Sequence, residues 1–262
     1  MTRADERALS DADRAHFRDR GYLVRRGACD AARVARMRAV AEAALRDAVE
    51  PIEYEADLGY PGAPRGREAA GGRTARRLLG ALDRDPVFMD WARAAPLVGP
   101  VRRLLDTQDI RVVRAHHNCV MTKQPRFSSL TGWHRDTRYW AFDRDELVNA
   151  WTALGTESED NGGMRLIPGS HREAFPPEAF DSRSFFRDDL EDNRRRIAAA
   201  EQVDLGPGDV LLFDARLLHA AGRNRTEQRK LSVVFTYRAA DNPPQPGTRS
   251  AAVADLDPER PG

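Results

Sequence analysis

From residue 109 onward the chain breaks into short β-prone runs: "IRVVRAHHNCVMT", "TGWHRDTRYWAF", "LVNAWTAL", "MRLIPG", "QVDL", "DVLLFDARLLHAAG" and "KLSVVFTYR". Turn signals such as "NGG" at 161–163 and "GPG" at 206–208 separate them. Strands this short and this closely spaced are marginal alone and are satisfied by closing on one another, so the pattern predicts a double sheet or jelly roll. The fold class expected is mainly β with flanking helices. Its core is a jelly-roll, cupin-like barrel carrying a helical layer on one side.

The helical layer comes first in the chain. Ser10 or Asp11 can cap a helix that ends at Gly21, and "GYLVRRG" follows as a short strand. Residues 30 to 48 place Val34, Met37, Val40, Ala41 and Leu45 at spacings of three and four, an apolar stripe with an Arg-rich outer face. Residues 49 to 74 are rich in Gly, Pro and charge and lack periodicity, which suits either a surface loop or a lid over a site. Residues 75 to 105 look helical again. The expected organisation is one domain over residues 1–240, helical to 108 and β from 109 to 240, followed by an extended tail at 241–262.

Composition narrows the function classes. The 262 residues carry a formal charge of +1, so no global field draws the chain to nucleic acid or to an anionic membrane. Basic residues are interleaved with acids and form no aromatic-basic platform, which also argues against nucleic-acid binding. Forty of the basic residues are Arg and only two, Lys123 and Lys230, are Lys. Two cysteines, Cys29 and Cys119, make neither a disulfide framework nor a zinc pattern, so a reducing cytoplasmic location is expected. The N-terminal stretch is polar and charged, without the apolar core of an export signal, and no run is long and apolar enough to span a membrane.

Chemistry concentrates in "TGWHRDTRYW", residues 131 to 140. On a strand, His134 and Asp136 point to one side while Arg135 and Thr137 point to the other, which pre-positions two ligands for one ion. A lone His-x-Asp is equally a half-buried histidine bonded to a carboxylate, so a third ligand is needed. Among the six histidines, His16 reads as solvated, His171 as a turn residue, and the adjacent His116 and His117 can send at most one ring into a cavity. His219 ends an apolar run just before the small-residue turn "AAG", where a strand delivers an imidazole to a barrel mouth; a packed core histidine is the competing reading. Two histidines and a carboxylate on a β-scaffold form the facial triad that holds non-haem Fe(II) with open coordination positions. A carboxylate at 136, where Gly or Ala would leave room for halide, argues for hydroxylation over halogenation.

The motifs "FRDRGYLVRRG", "WHRDTRYWAF", "LVNAWTALGTESEDNGGMRLIPGSHR" and "GDVLLFDARLLHAAGRNRT" together resemble the phytanoyl-CoA dioxygenase-like branch of the Fe(II)/2-oxoglutarate-dependent oxygenases, from the first of them to about residue 238. The resemblance implies a double-stranded β-helix with His134, Asp136 and His219 as iron ligands. It also implies 2-oxoglutarate and O2 as cosubstrates; the cluster of Arg126, Arg135, Arg138 and Tyr139 around the iron motif suggests a small polar or anionic metabolite as substrate, and no obligate protein partner is expected. The family's cation for the far carboxylate of 2-oxoglutarate falls eleven positions after the distal histidine, on Lys230, with Arg229 beside it. Most relatives carry Arg there, and Lys offers a point charge without a bidentate fork. Ser232 shares the strand face of Lys230 and can donate to the same carboxylate, while Trp151 and Cys119 match positions lining the cosubstrate pocket. Substrate selection is expected from Arg138, Tyr139, Trp140, the 52–74 loop and segment 175–195, while Lys123, which closes the strand beside the site, can meet either an anionic substrate or the cosubstrate. Two competitors stay open: a non-catalytic cupin-like binding protein, and a metal-dependent barrel enzyme that needs no 2-oxoglutarate.

Overall fold

A computed structural model describes residues 9–260. Helix α1 (Asp11–Arg20) starts at a capping box in which Ser10 and Asp13 satisfy each other's backbone N–H, and it ends at Gly21 in the left-handed region. Strand β1 (Tyr22–Arg25) leads to helix α2 (Ala31–Arg46), capped by Asp30, whose buried residues Val34, Met37, Ala41 and Ala44 repeat the predicted stripe. Strand β2 (Ile52–Tyr54) and the one-turn helix α3 (Glu55–Leu58) open the stretch expected as a loop.

Residues 75 to 105 are not helical throughout. Ala75–Leu79 form strand β3, and the helices that follow are α4 (Pro86–Ala92) and α5 (Ala95–Leu105). The reason is tertiary. Strand β4 (Ile110–Lys123) would expose an unpaired edge there, and β3 pairs with it through Arg77↔Met121, Leu78↔Val120 and Leu79↔Cys119.

The β-core continues with β5 (Thr131–His134), β6 (Leu147–Ala153), β7 (Met164–Leu166), helix α6 (Glu191–Ala198), β8 (Glu201–Val203), β9 (Val210–Asp214), β10 (His219–Ala221) and β11 (Lys230–Ala239). The strands form two antiparallel sheets, one of seven in the order β1-β9-β6-β11-β4-β3-β2 and one of four in the order β5-β10-β7-β8. The outer face of the larger sheet packs on the helices through Met37, Leu78, Phe88, Trp91, Leu97, Val233 and Phe235. Its inner face meets the smaller sheet through Trp151, Met164, Leu166, Leu211, Phe213 and Val234. Alternation along β11 therefore turns Lys230, Ser232, Val234 and Thr236 toward the space between the sheets. No described helix is long and apolar enough to cross a membrane.

Residues 241–260 lie along the core with a 3-10 turn at Arg249–Ala251 and isolated bridges from Pro244 to Phe142 and from Leu256 to Val112. Leu256 exchanges two backbone hydrogen bonds with Val112, Arg238 Nε donates to Asp255 Oδ2 at 2.6 Å, and Ser250 is buried.

Candidate metal centre

Strand β5 ends on His134, not beyond Trp140, because the backbone N–H of Asp136 bonds Ala215 O and the chain turns into a 3-10 segment over Asp136–Tyr139. Arg135 between them keeps an extended backbone (φ −103°, ψ 143°), so His134 and Asp136 still face the same side. The third group arrives by pairing: β10 lies against β5 with His219 directly opposite His134. His134 Nε2 and His219 Nε2 each lie 3.7 Å from Asp136 Oδ1, and one ligand atom from each of the three residues lies within 4.8 Å of the others.

The neighbours fix which atoms face inward. His134 Nδ1 lies 2.8 Å from Gly132 O and His219 Nδ1 lies 3.0 Å from Leu217 O. A carbonyl only accepts, so each Nδ1 carries the proton and each Nε2 presents a lone pair. Burial, then the adjacent His219 and Arg138, hold the His134 pKa well below the ordinary imidazole range, which keeps the ring in its ligating form. Asn149 Nδ2 donates to Asp136 Oδ2 at 2.8 Å, and Thr236 Oγ donates in turn to Asn149 Oδ1. His117 Nε2 lies 3.5 Å from Asp136 Oδ1, while His116 faces the other way, onto Ser250. All three candidate ligands are buried. Two imidazoles whose Nε2 atoms face one carboxylate oxygen, each with an oriented outer partner, fit a divalent iron.

These motifs match the phytanoyl-CoA dioxygenase (PhyH) family over residues 17–232. The chain belongs to that family. Among curated relatives it is 26% identical over 168 residues to a probable phytanoyl-CoA dioxygenase of Caenorhabditis elegans, covering 60% of this chain and 52% of the relative. It is also 26% identical over 177 residues to a probable alpha-ketoglutarate-dependent hypophosphite dioxygenase of Stutzerimonas stutzeri, covering 63% and 59%. The chain thus spans about half the length of the curated relatives it matches. Among solved structures, EctD from S. alaskensis with 2-oxoglutarate and 5-hydroxyectoine superposes with a TM-score of 0.74 at 22% identity, covering 90% of this chain and 78% of that one. The epimerase SnoN from nogalamycin biosynthesis, in complex with Fe3+ and alpha-ketoglutarate, gives 0.73 at 22% identity, covering 96% and 93%. These likenesses share the fold.

A cavity of about 50 Å3 joins the three candidate ligands of this PhyH-family chain to Arg76, Arg77, His117, Met121, Lys123, Trp151 and Lys230. Arg229 is not part of it. That side chain is exposed and its Nε donates to Gln124 Oε1 at 2.7 Å, because alternation on β11 sends 229 outward when 230 faces in. Cys119 packs in the core between the sheets, 3.6 Å from Met121 Sδ; Met121, two residues on, lines the cavity in its stead. Arg138 NH2 donates to Tyr60 Oη at 3.1 Å and its guanidinium lies over the Phe185 ring, which ties the 52–74 stretch and segment 175–195 to the metal end of the barrel. Tyr139 is exposed and donates to Arg183 O, while Trp140 stacks on His116 at 4.9 Å. A second cleft, of about 530 Å3, lies on the far face of the smaller sheet against Trp133, Arg165, Gln202 and Ala220.

Sequence reasoning missed Glu157, Arg76, Arg77 and Asn149. Asn149 lies on β6 two residues before Trp151, so strand alternation places it on the same inward face, whereas Glu157 follows the end of that strand and nothing local marks its side chain as inward and paired. Glu157 is fully buried; its Oε1 accepts from Ser232 Oγ at 2.5 Å and from Trp151 Nε1 at 2.9 Å, and its Oε2 from Lys230 Nζ at 3.0 Å.

Proposed function

We propose that this chain is an Fe(II)- and 2-oxoglutarate-dependent dioxygenase that hydroxylates an unactivated C–H bond of a small polar or anionic metabolite. The carrying observation is the convergence of two Nε2 lone pairs and the Asp136 carboxylate on one point, with both Nδ1 atoms already committed to carbonyl oxygens. The chemistry supplied by such a centre is oxygen-dependent C–H oxidation coupled to conversion of the keto acid to succinate and carbon dioxide. His134 and His219 serve as neutral nitrogen donors. Asp136 contributes the charge, and Asn149 aims it by holding its second oxygen. Three ligands from the chain leave coordination positions for a keto acid and for dioxygen, which a closed four-ligand site does not.

Guest selection falls to groups around the metal end of the barrel, outside the small cavity itself. Arg138 and Tyr139 stand at the metal end with Phe185 beneath the guanidinium, and they present positive charge and aromatic surface to a polar or acidic substrate. Anaerobic reconstitution with Fe(II) and 2-oxoglutarate tests the reading. The expected result is a weak visible charge-transfer band that is absent in His134→Ala, followed by succinate on admitting air. A folded protein that binds Fe(II) without the band favours a barrel enzyme that needs no 2-oxoglutarate, and one that binds no Fe(II) favours a non-catalytic binding protein. Mass analysis of the product then separates hydroxylation from desaturation or epoxidation.

A further inference from the structure

The side chains expected to grip the far carboxylate of 2-oxoglutarate already grip a carboxylate. Lys230 and Ser232, two residues apart on one strand face, and the Trp151 indole N–H all donate to Glu157, and both oxygens of that carboxylate are thereby satisfied. Lys230 and Glu157 are 3% and 0% exposed at the side chain. Backbone hydrogen bonds in both directions to Leu205 anchor residue 157, so its side chain has no loose segment to swing on. Pulling one member out of a fully buried ion pair leaves the other charge unpaired in low dielectric, which strongly disfavours any rearrangement that frees Lys230. A second carboxylate at this place would meet one lysine already neutralised.

Two other cations of the cavity each have a carboxylate within ion-pair distance. Arg76 NH1 lies 3.4 Å from Glu55 Oε2, and Arg77 Nε lies 3.3 Å from Glu53 Oε1, the latter without a hydrogen bond. Lys123, the register partner of Lys230 across β4 and β11, is buried at 6% exposure. Its ammonium has three protons to donate, yet its one hydrogen bond among the described residues goes to a neutral acceptor, Ser129 O at 2.6 Å. No described carboxylate forms an ion pair with it. Burial, with Arg76, Lys230 and Arg223 adding repulsion against Glu55, pushes its pKa well below the ordinary lysine range, as expected of a cation that lacks its counter-charge. It lines the same cavity as His134, Asp136 and His219.

We propose that Lys123, not Lys230, receives the far carboxylate of 2-oxoglutarate, the Lys230 seat being filled by the resident carboxylate of Glu157. This rests on the Fe(II)/2-oxoglutarate reading and assigns one contact within it. Lys123 and Lys230 are the only two lysines of a chain with forty arginines, and both face this cavity. One balances a built-in anion and the other awaits an external one.

The test is binding, not turnover. The anaerobic Fe(II) protein is titrated with 2-oxoglutarate and, separately, with 2-oxobutyrate, which has no far carboxylate, following the visible band. Lys123→Met is expected to weaken 2-oxoglutarate by about tenfold or more, the loss of one buried ion pair, while leaving 2-oxobutyrate within about threefold. The double variant Lys230→Met/Glu157→Gln, which removes both charges of the resident pair together, is expected to hold 2-oxoglutarate within about threefold. The opposite pattern, with affinity lost in the double variant and kept in Lys123→Met, overturns the assignment. If Lys123→Met does not fold, Lys123→Gln, which keeps a donor for Ser129 O, takes its place under the same criteria. A wild-type protein that gives no band with either keto acid overturns the Fe(II)/2-oxoglutarate reading itself, a result distinct from undiminished binding by Lys123→Met.

Discussion

Asn149 shows how much of a metal site lies outside its ligands. It touches Asp136 alone among the candidate ligands, and Thr236 fixes its orientation from the neighbouring strand. Replacing it with Leu is expected to weaken Fe(II) binding by about 10- to 100-fold, measured by competitive metal titration, with little change in the melting temperature of the metal-free protein. Arg76 is a different kind of residue. It is 2% exposed and spans Glu55, Ser129 and Thr131, so Arg76→Met strands the Glu55 carboxylate in the interior. A loss of about 3–5 kcal/mol in denaturant-derived stability is expected, and Arg76→Met/Glu55→Gln should recover part of it. What the sequence made legible follows this division. His134 and Asp136 were readable because one extended residue between them fixes their common side, and His219 because it stands where an apolar run meets a turn. The Glu157–Lys230 pair joins positions 73 apart, and no local pattern in "GTESEDNGG" distinguishes a buried acid from the solvated ones beside it.

At the scale of elements, periodicity located the helices and most strands but misassigned β3. The stretch "ARRLL" has its apolar residues at a helical spacing; what decides its conformation is the open edge of β4, which lies more than thirty positions away. Leu78, fully buried where this strand backs onto the helices, tests that packing. Leu78→Ala is expected to cost about 2–5 kcal/mol, read from a urea or guanidinium midpoint at unchanged slope. The "GPG" turn illustrates the reverse case, in which sequence named the feature and structure supplies the reason. Gly208 adopts φ +88°, and a Cβ there would sit 2.5 Å from Cys29 O, the backbone just ahead of α2. Gly208→Ala therefore combines strain with a clash against main chain that cannot rotate away, and a drop of at least about 1 kcal/mol is expected in the same measurement.

For the molecule as a whole, the barrel and its helical layer were readable because hydrophobic alternation and turn chemistry repeat along the chain. The course of residues 241–260 was not, since it depends on single contacts. One of these is sensitive to acid. His116 stacks on Trp140 and its Nε2 lies 2.7 Å from Ser250 Oγ, which binds the C-terminal stretch to β4. Burial, reinforced by Arg249 and the neighbouring His117 ring and opposed by Asp136, lowers the His116 pKa from 6.5 to about 4. Above pH 6.5 the ring is neutral whether the chain is folded or not, and its contribution to stability is complete. As pH falls below 6.5 the unfolded chain takes up the proton first, so stability drains away until the folded form also titrates near 4. The melting temperature of the wild type should decline over that window, and His116→Gln should flatten the decline.

The smaller sheet is built from strands of three and four residues, and the pairing of its edge strand β5 with β10 places His219 against His134. An ion gripping both rings therefore acts as a rivet between two backbones that share few hydrogen bonds of their own. Loading Zn(II) or Fe(II) should slow amide deuterium uptake in β5 and β10 far more than in the seven-stranded sheet, so that the metal completes the architecture as well as the chemistry.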